Sequence, residues 1–136
     1  MNTSKAIRAM IAKAKANTAL TGRVSNRIYF GAAPSTVAMP YVVLKATSPD
    51  GQARAFAASG DFNEAVYQWD IFDKSESPQT CELIASDLDL AFDRQTLTYS
   101  DATGIGCITE PGGMGPDWDG EAWMRVKMYA VTYKSN

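Results

Sequence analysis

The chain contains no histidine. That removes the side chain most often used as a general base, nucleophile activator or metal ligand near neutral pH. Cysteine is scarce: Cys81 and Cys107 stand far apart, in no C-x-x-C or Cys/His spacing. This favours a reducing compartment with two free thiols, with a single disulfide as the alternative. Neither cysteine has a sequence context that would activate it as a nucleophile. Long apolar runs are missing too, and none approaches the roughly 18–20 residues needed to cross a bilayer. Lys13 and Lys15 interrupt the N-terminal stretch that a signal peptide would need uncharged. We therefore expect a soluble, intracellular protein without a membrane partner. The last scarcity is local: residues 1–49 hold no acid at all, and the first is Asp50.

What is present fits one domain, residues 1–136, with 46% hydrophobic residues to build a core. The net charge of −2 hides a split of about +7 over residues 1–49 against about −9 over residues 50–136. Such a polar chain either spreads its charge over two solvated faces or meets oppositely charged partners at its two ends.

Residues 3–18 read as an amphipathic helix with Thr3 or Ser4 as cap. Ile7, Met10, Ile11 and Ala14 form the apolar stripe, and Lys5, Arg8, Ala12 and Lys15 lie opposite. Thr21-Gly22 should end it. Residues 27–30 and 41–47 read as the first two strands, around a loop bounded by Pro34 and Pro40. The run Val42-Val43-Leu44 implies a strand covered on both faces. Residues 48–61 read as a long loop carrying Arg54 and Phe56. Phe62 to Phe72 alternates, with Ala65, Tyr67, Trp69 and Ile71 facing the core. Ser77 should cap a helix starting at Pro78 and running to about Asp93. Its buried stripe would be Leu83, Ile84, Leu88, Ala91 and Phe92, with Glu82, Asp87, Asp89 and Asp93 off that stripe. Strands follow at 96–100, 105–110 and 122–133. In the last, Met124, Val126, Met128, Ala130 and Thr132 look core-facing in their first half. The turn-rich stretch 111–120 presents Met114 and Trp118 as exposed side chains. The fold class is thus α+β: a mainly antiparallel, curved sheet of about four to six strands with two helices packed on it, N-terminal helix first.

Catalytic and metal motifs fail on their own terms. Asp117, Asp119 and Glu121 resemble part of a calcium loop but lack the distal glutamate and the framing helices. Gly112-Gly113-Met114-Gly115 carries no lysine and precedes a strand, unlike a phosphate cradle. A basic helix face without interleaved aromatics, in a chain of pI near 5.0, does not describe a dedicated nucleic-acid binder. What remains is a non-enzymatic domain, without cofactor or metal, whose isolated aromatic, Met and Arg side chains suit protein contacts.

The order of segments carries a resemblance. An amphipathic helix precedes RIYFGAAPSTVAMPYVVL, then a long loop, a strand ending YQWDIFDKS, a helix, and a last strand WMRVKMYAVTY. With Tyr29, Ala33-Pro34 and the Pro40-Tyr41-Val42-Val43 strand start, this resembles the tail-completion, or tail-terminator, proteins of long-tailed bacteriophages and prophages. The resemblance implies a hexameric ring on the head-proximal end of the tail tube, within the virion and assembled in the host cytoplasm. Such a ring ends tube polymerisation, binds the tail tube protein and the head–tail connector, and lets DNA through its lumen without specific binding. It implies no catalytic residue and fixes no contact residue. From loops and charge alone, the interface candidates are Lys5, Arg8, Arg54, Phe56, Met114, Asp117 and Trp118. The competing readings are a head–tail connector or other small phage structural protein, and a small cellular ligand-binding domain.

Overall fold

The computed structural model describes residues 3–47, 53–57, 60–99, 102–109 and 113–134. Among these described residues, three helices and eight strands follow the order α1 (Thr3–Ala16), α2 (Thr18–Val24), β1 (Ile28–Phe30), β2 (Tyr41–Ala46), β3 (Ala53–Ala57), β4 (Gly60–Asp73), α3 (Gln79–Phe92), β5 (Thr96–Tyr99), β6 (Ala102–Thr109), β7 (Met114–Trp118) and β8 (Trp123–Lys134). The α+β class and the leading helix are as expected. The sheet is larger than expected and has one parallel pair, β1 with β2. Its order is β1-β2-β4-β8-β6-β5, with β3 beside β4 and β7 beside β8.

The first helix is two helices. Asn17 takes an extended conformation and its side chain accepts the Leu20 N–H at 2.9 Å, capping α2. A side chain that competes for backbone donors ends one helix and starts the next. Gly22, expected as a stop, therefore sits inside α2. The buried face of α1 is also rotated. Ala6, Ala9, Met10 and Ala14 are fully buried, whereas Ile7 and Ile11 are half-buried at its margin. Small alanines let α1 approach the core closely and leave the larger isoleucines at the edge.

One core cluster joins the helices to a single face of the sheet. It includes Met10, Leu20, Val24, Val42, Leu44, Tyr67, Trp69, Ile71, Leu88, Phe92, Leu97, Tyr129 and Val131. Phe92 bridges helix and sheet, 5.7 Å from the Trp69 ring and 5.6 Å from that of Tyr129. Val43, Val126 and Ala130 lie on the opposite face, also buried but outside that cluster. The β2 run is thus covered on both sides, as its sequence implied.

The faces of β8 are the reverse of those expected. Tyr67 pairs with Tyr129, Trp69 with Lys127 and Ile71 with Arg125, so the residues with polar tips share the helix side. The reason is in α3, whose acids reach down to those bases. Arg125 Nε lies 2.8 Å from Glu82 Oε1 and Lys127 Nζ lies 3.1 Å from Asp89 Oδ1. Tyr129 Oη donates to Asp89 at 2.6 Å. Asp87, expected to be wet, is buried and pairs with Arg23 of α2 at 2.6 Å. Leu83, expected in the buried stripe, is 38% exposed, and Cys81 and Ala85 take its place. Pro78 occupies the cap position of α3, with Ser77 Oγ accepting from Gln79 N at 3.4 Å.

Two expected loops contain strands. Within 48–61, Ala53–Ala57 pairs with β4 as a hairpin arm, while residues 48–52 and 58–59 lie outside the described residues. Within 111–120, Met114–Trp118 runs along β8 with a bulge between Met114 and Asp117. That bulge depends on glycine: Gly115 has φ +91°, and a Cβ there would meet the Met124 carbonyl oxygen at 2.5 Å. Gly22, by contrast, has open space around its Cα. Two glycine substitutions should therefore have opposite signs in urea denaturation. Gly22→Ala should stabilise by about 0.4–1 kcal/mol, and Gly115→Ala should cost about 2 kcal/mol or more.

Candidate protein-interface surfaces

The β7–β8 hairpin ends in a turn built by Asp119. Its Oδ1 accepts the Glu121 and Ala122 N–H groups, both at 2.8 Å, and its own N–H donates to the Ala122 carbonyl at 3.1 Å. These amide bonds hold the Asp119 carboxyl below its usual pKa. Gly120, φ +100°, supplies the left-handed residue. The tip presents Trp118, 50% exposed, and Met114, 56% exposed. Trp118 leans on Trp123 with ring centroids 5.4 Å apart, and Trp123 Nε1 donates to the Ser75 carbonyl at 3.1 Å. Lys74, Ser75, Glu76 and the two indoles enclose an open groove of about 520 Å³.

Arg125 fixes this hairpin to the helix layer. While Nε meets Glu82, Nη1 donates to the carbonyls of Met114 at 3.1 Å and Val126 at 2.8 Å. The pair is partly exposed, so its ionic part is worth no more than about 1 kcal/mol; its geometric effect is to tie β7, β8 and α3 at one point. The described acids here, Asp117, Glu121 and Glu76, are exposed and form no ion pair among the described residues.

A second surface lies on α1. Ile7, Arg8, Ile11, Ala12 and Lys15 line a groove of about 310 Å³, apolar at its floor and basic at its rim. Arg8 and Lys15 are exposed and make no ion pair among the described residues. Of the sequence candidates, Arg8 lies on this groove, and Met114, Asp117 and Trp118 lie together on the hairpin. Lys5 is in α1, and Arg54 and Phe56 are in β3 opposite Asn63 and Asp61. The three are not brought to either of those sites by any described contact.

A third feature, absent from the sequence candidates, lies on the sheet face away from the helices. Asp70 is fully buried there, with Lys45 Nζ at 2.8 Å and Gln68 Nε2 donating at 2.6 Å. Beside it Tyr41 stacks on Phe72 at 4.9 Å and meets the Tyr29 ring edge-on at 6.3 Å. Burial raises the Tyr41 pKa, opposed by nearby Lys45. The one available signal was an aspartate inside the otherwise regular alternation of β4.

Cys81, on α3, is a free and buried thiol. Its Sγ lies 3.7 Å from the Trp123 carbonyl oxygen and 4.0 Å from that of Ile71. Burial first, then the negative charges of Asp73 and Glu82, push its pKa from 9.0 up to about 12. It has the environment of a packing residue, not of a nucleophile.

Comparisons with known proteins give the fold. No protein-family model matches the chain, and no curated protein matches it. Among solved structures, it is similar to a chain from the virion of a native gene transfer agent particle, with TM-score 0.77 and 16% identity over 94% of this chain and 93% of that one. A second solved structure matches with TM-score 0.66 and 13% identity, covering 98% and 97% of the two chains. Identity this low carries over the arrangement of helices and strands, end to end, and nothing more specific.

Cys81 provides a test of the packing. In a Cys107→Ser background, thiol reagents at pH 8 should leave the native protein unmodified and label it fully in denaturant. Because the folded pKa is raised, the thiol's contribution to stability is full below 9.0 and is lost as pH rises towards about 12. Urea midpoints should therefore fall over that interval, and less steeply in Cys81→Ala.

Proposed function

We propose that the chain is a structural protein of a phage-like particle that closes the head-proximal end of the tail tube as a ring of six copies. The observation that carries this reading is the match of fold, over nearly the whole of both chains, to a component of a gene transfer agent virion. The tail-terminator resemblance of the sequence supports the same class. The surfaces support assembly more than chemistry. The described carboxylates with defined partners are committed to ion pairs or to a turn, as in Asp70, Asp87 and Asp119. The residues left unpaired are aromatic, methionine and charged side chains at the surface, the composition of protein interfaces.

A ring requires two different patches on each subunit. The basic α1 and the acidic tip of the hairpin differ in sign and share no element. In addition, β3 pairs only with β4 among the described residues and offers an open edge to a neighbouring subunit or to the tube. On this reading the protein is not an enzyme. The competing connector reading keeps the ring and moves its partner to the portal side.

The test is native mass over a wide concentration range, with negative-stain images of the largest species, followed by incubation with growing tail tubes. Closed six-fold rings that cap one tube end and halt growth are the expected result. Rings that ignore tubes but bind the portal side would instead favour the connector. The double variant Arg54→Glu/Phe56→Ala should lose tube attachment and keep its far-UV spectrum; wild-type attachment would remove β3 from the contact.

A further inference from the structure

We infer that the hairpin tip of one copy docks into the α1 groove of the next, with Trp118 as the inserted side chain. This contact deepens the ring reading and rests on it for closure. Four observations converge. The groove has an apolar floor, Ile7, Ile11 and Ala12, set between Arg8 and Lys15. Its volume of about 310 Å³ is enough to hold one aromatic side chain. The tip carries the complementary feature: a half-exposed indole, Trp118, backed by Trp123.

Charge decides the occupant. α1 holds Lys5, Arg8, Lys13 and Lys15 and no acid. The tip region holds Glu76, Asp117, Asp119 and Glu121 against Lys74, with the nearby Arg125 committed to Glu82. Arg8 and Lys15 at the groove, and Glu76, Asp117 and Glu121 around the tip, make no ion pair among the described residues. Elsewhere the fold pairs its charges across elements, as in Arg23–Asp87 and Arg125–Glu82. Among the described residues, the groove bases and the tip acids thus lie unpaired on two separate surfaces, each with an exposed apolar centre. A second copy of the chain satisfies both at once, and charged rims around an apolar anchor set register and steer encounter. The patches differ, so the contact is heterologous: it adds subunits head to tail until the rotation closes.

The experiment is sedimentation velocity on full-length protein, with far-UV spectra to establish folding. Arg8→Glu/Lys15→Glu reverses the groove, and Asp117→Lys/Glu121→Lys reverses the tip. Asp119 is left alone because it builds the turn. Either double variant alone should self-associate about tenfold or more weakly than wild type. An equimolar mixture should recover association, because each variant's tip then faces a groove of opposite sign. Trp118→Ala should weaken association by about 30-fold, and added salt should weaken it in the wild type. Folded variants that associate like wild type, or a mixture that fails to recover, would overturn the contact. If rings still form in those variants, the ring reading survives and only this interface is wrong. A wild type that stays monomeric at every concentration also overturns the contact, and tube capping then judges the ring reading separately.

Discussion

The antiparallel register of β4 against β8 decides most of what the molecule presents. Phe62 to Asp73 lie opposite Lys134 to Trp123 without interruption. Because side chains alternate with period two, one matched pair fixes the face of every residue on both strands. Tyr67, Trp69 and Ile71 are large and fully buried, so their side must be the helix side. Tyr129, Lys127, Arg125 and Trp123 follow them there. β6 and β7 then run end to end along the other edge of β8, and β2 and β3 along the other edge of β4.

That register places two long basic side chains under a helix, which would be costly without partners. α3 provides them with Glu82 and Asp89, seven positions apart and so on nearly the same face. The aliphatic stems of Arg125 and Lys127 contribute packing while their heads meet the carboxylates. Each such pair is individually weak. Together with the Trp69–Phe92–Tyr129 ring contacts they fix the seating of α3, and Asp87 with Arg23 seats α2 against it. Among the described residues, the charges that this internal pairing leaves over include Arg8 and Lys15 on α1 and Asp117 and Glu121 at the hairpin tip. The asymmetry along the chain thus becomes an asymmetry of surfaces, which is what a head-to-tail assembly needs.

Conformational detail at the tip serves the same end. Gly115 and Gly113 let β7 approach β8 closely through its bulge, and Asp119 closes the turn with two amide bonds. Trp123 is held by Ser75 and supports Trp118 from behind. The exposed indole is therefore held on a strand in a fixed setting, so less ordering cost would fall on binding.

Local patterning along the chain sufficed for the α+β class, the leading helix, the core face of β4 through Tyr67, Trp69 and Ile71, and the exposure of Met114 and Trp118. These follow from periodicity and turn residues, which act within a few positions of chain. The charge split, too, is composition alone. Tertiary structure decided the rest. Leu83 and Leu90 look like core by type but are exposed, while Asp70 and Asp87 look like surface but are buried. Neither could be read locally, because burial of a charge depends on a partner far away in sequence: Lys45 for Asp70, Arg23 for Asp87. The faces of β8 were misread for the same reason, since Arg125 and Lys127 face inwards only because α3 brings Glu82 and Asp89 over them. The strands hidden in residues 53–57 and 114–118 form because β4 and β8 offer them edges. Strand formation there is a property of the neighbour's hydrogen-bonding groups, not of the segment's own residues.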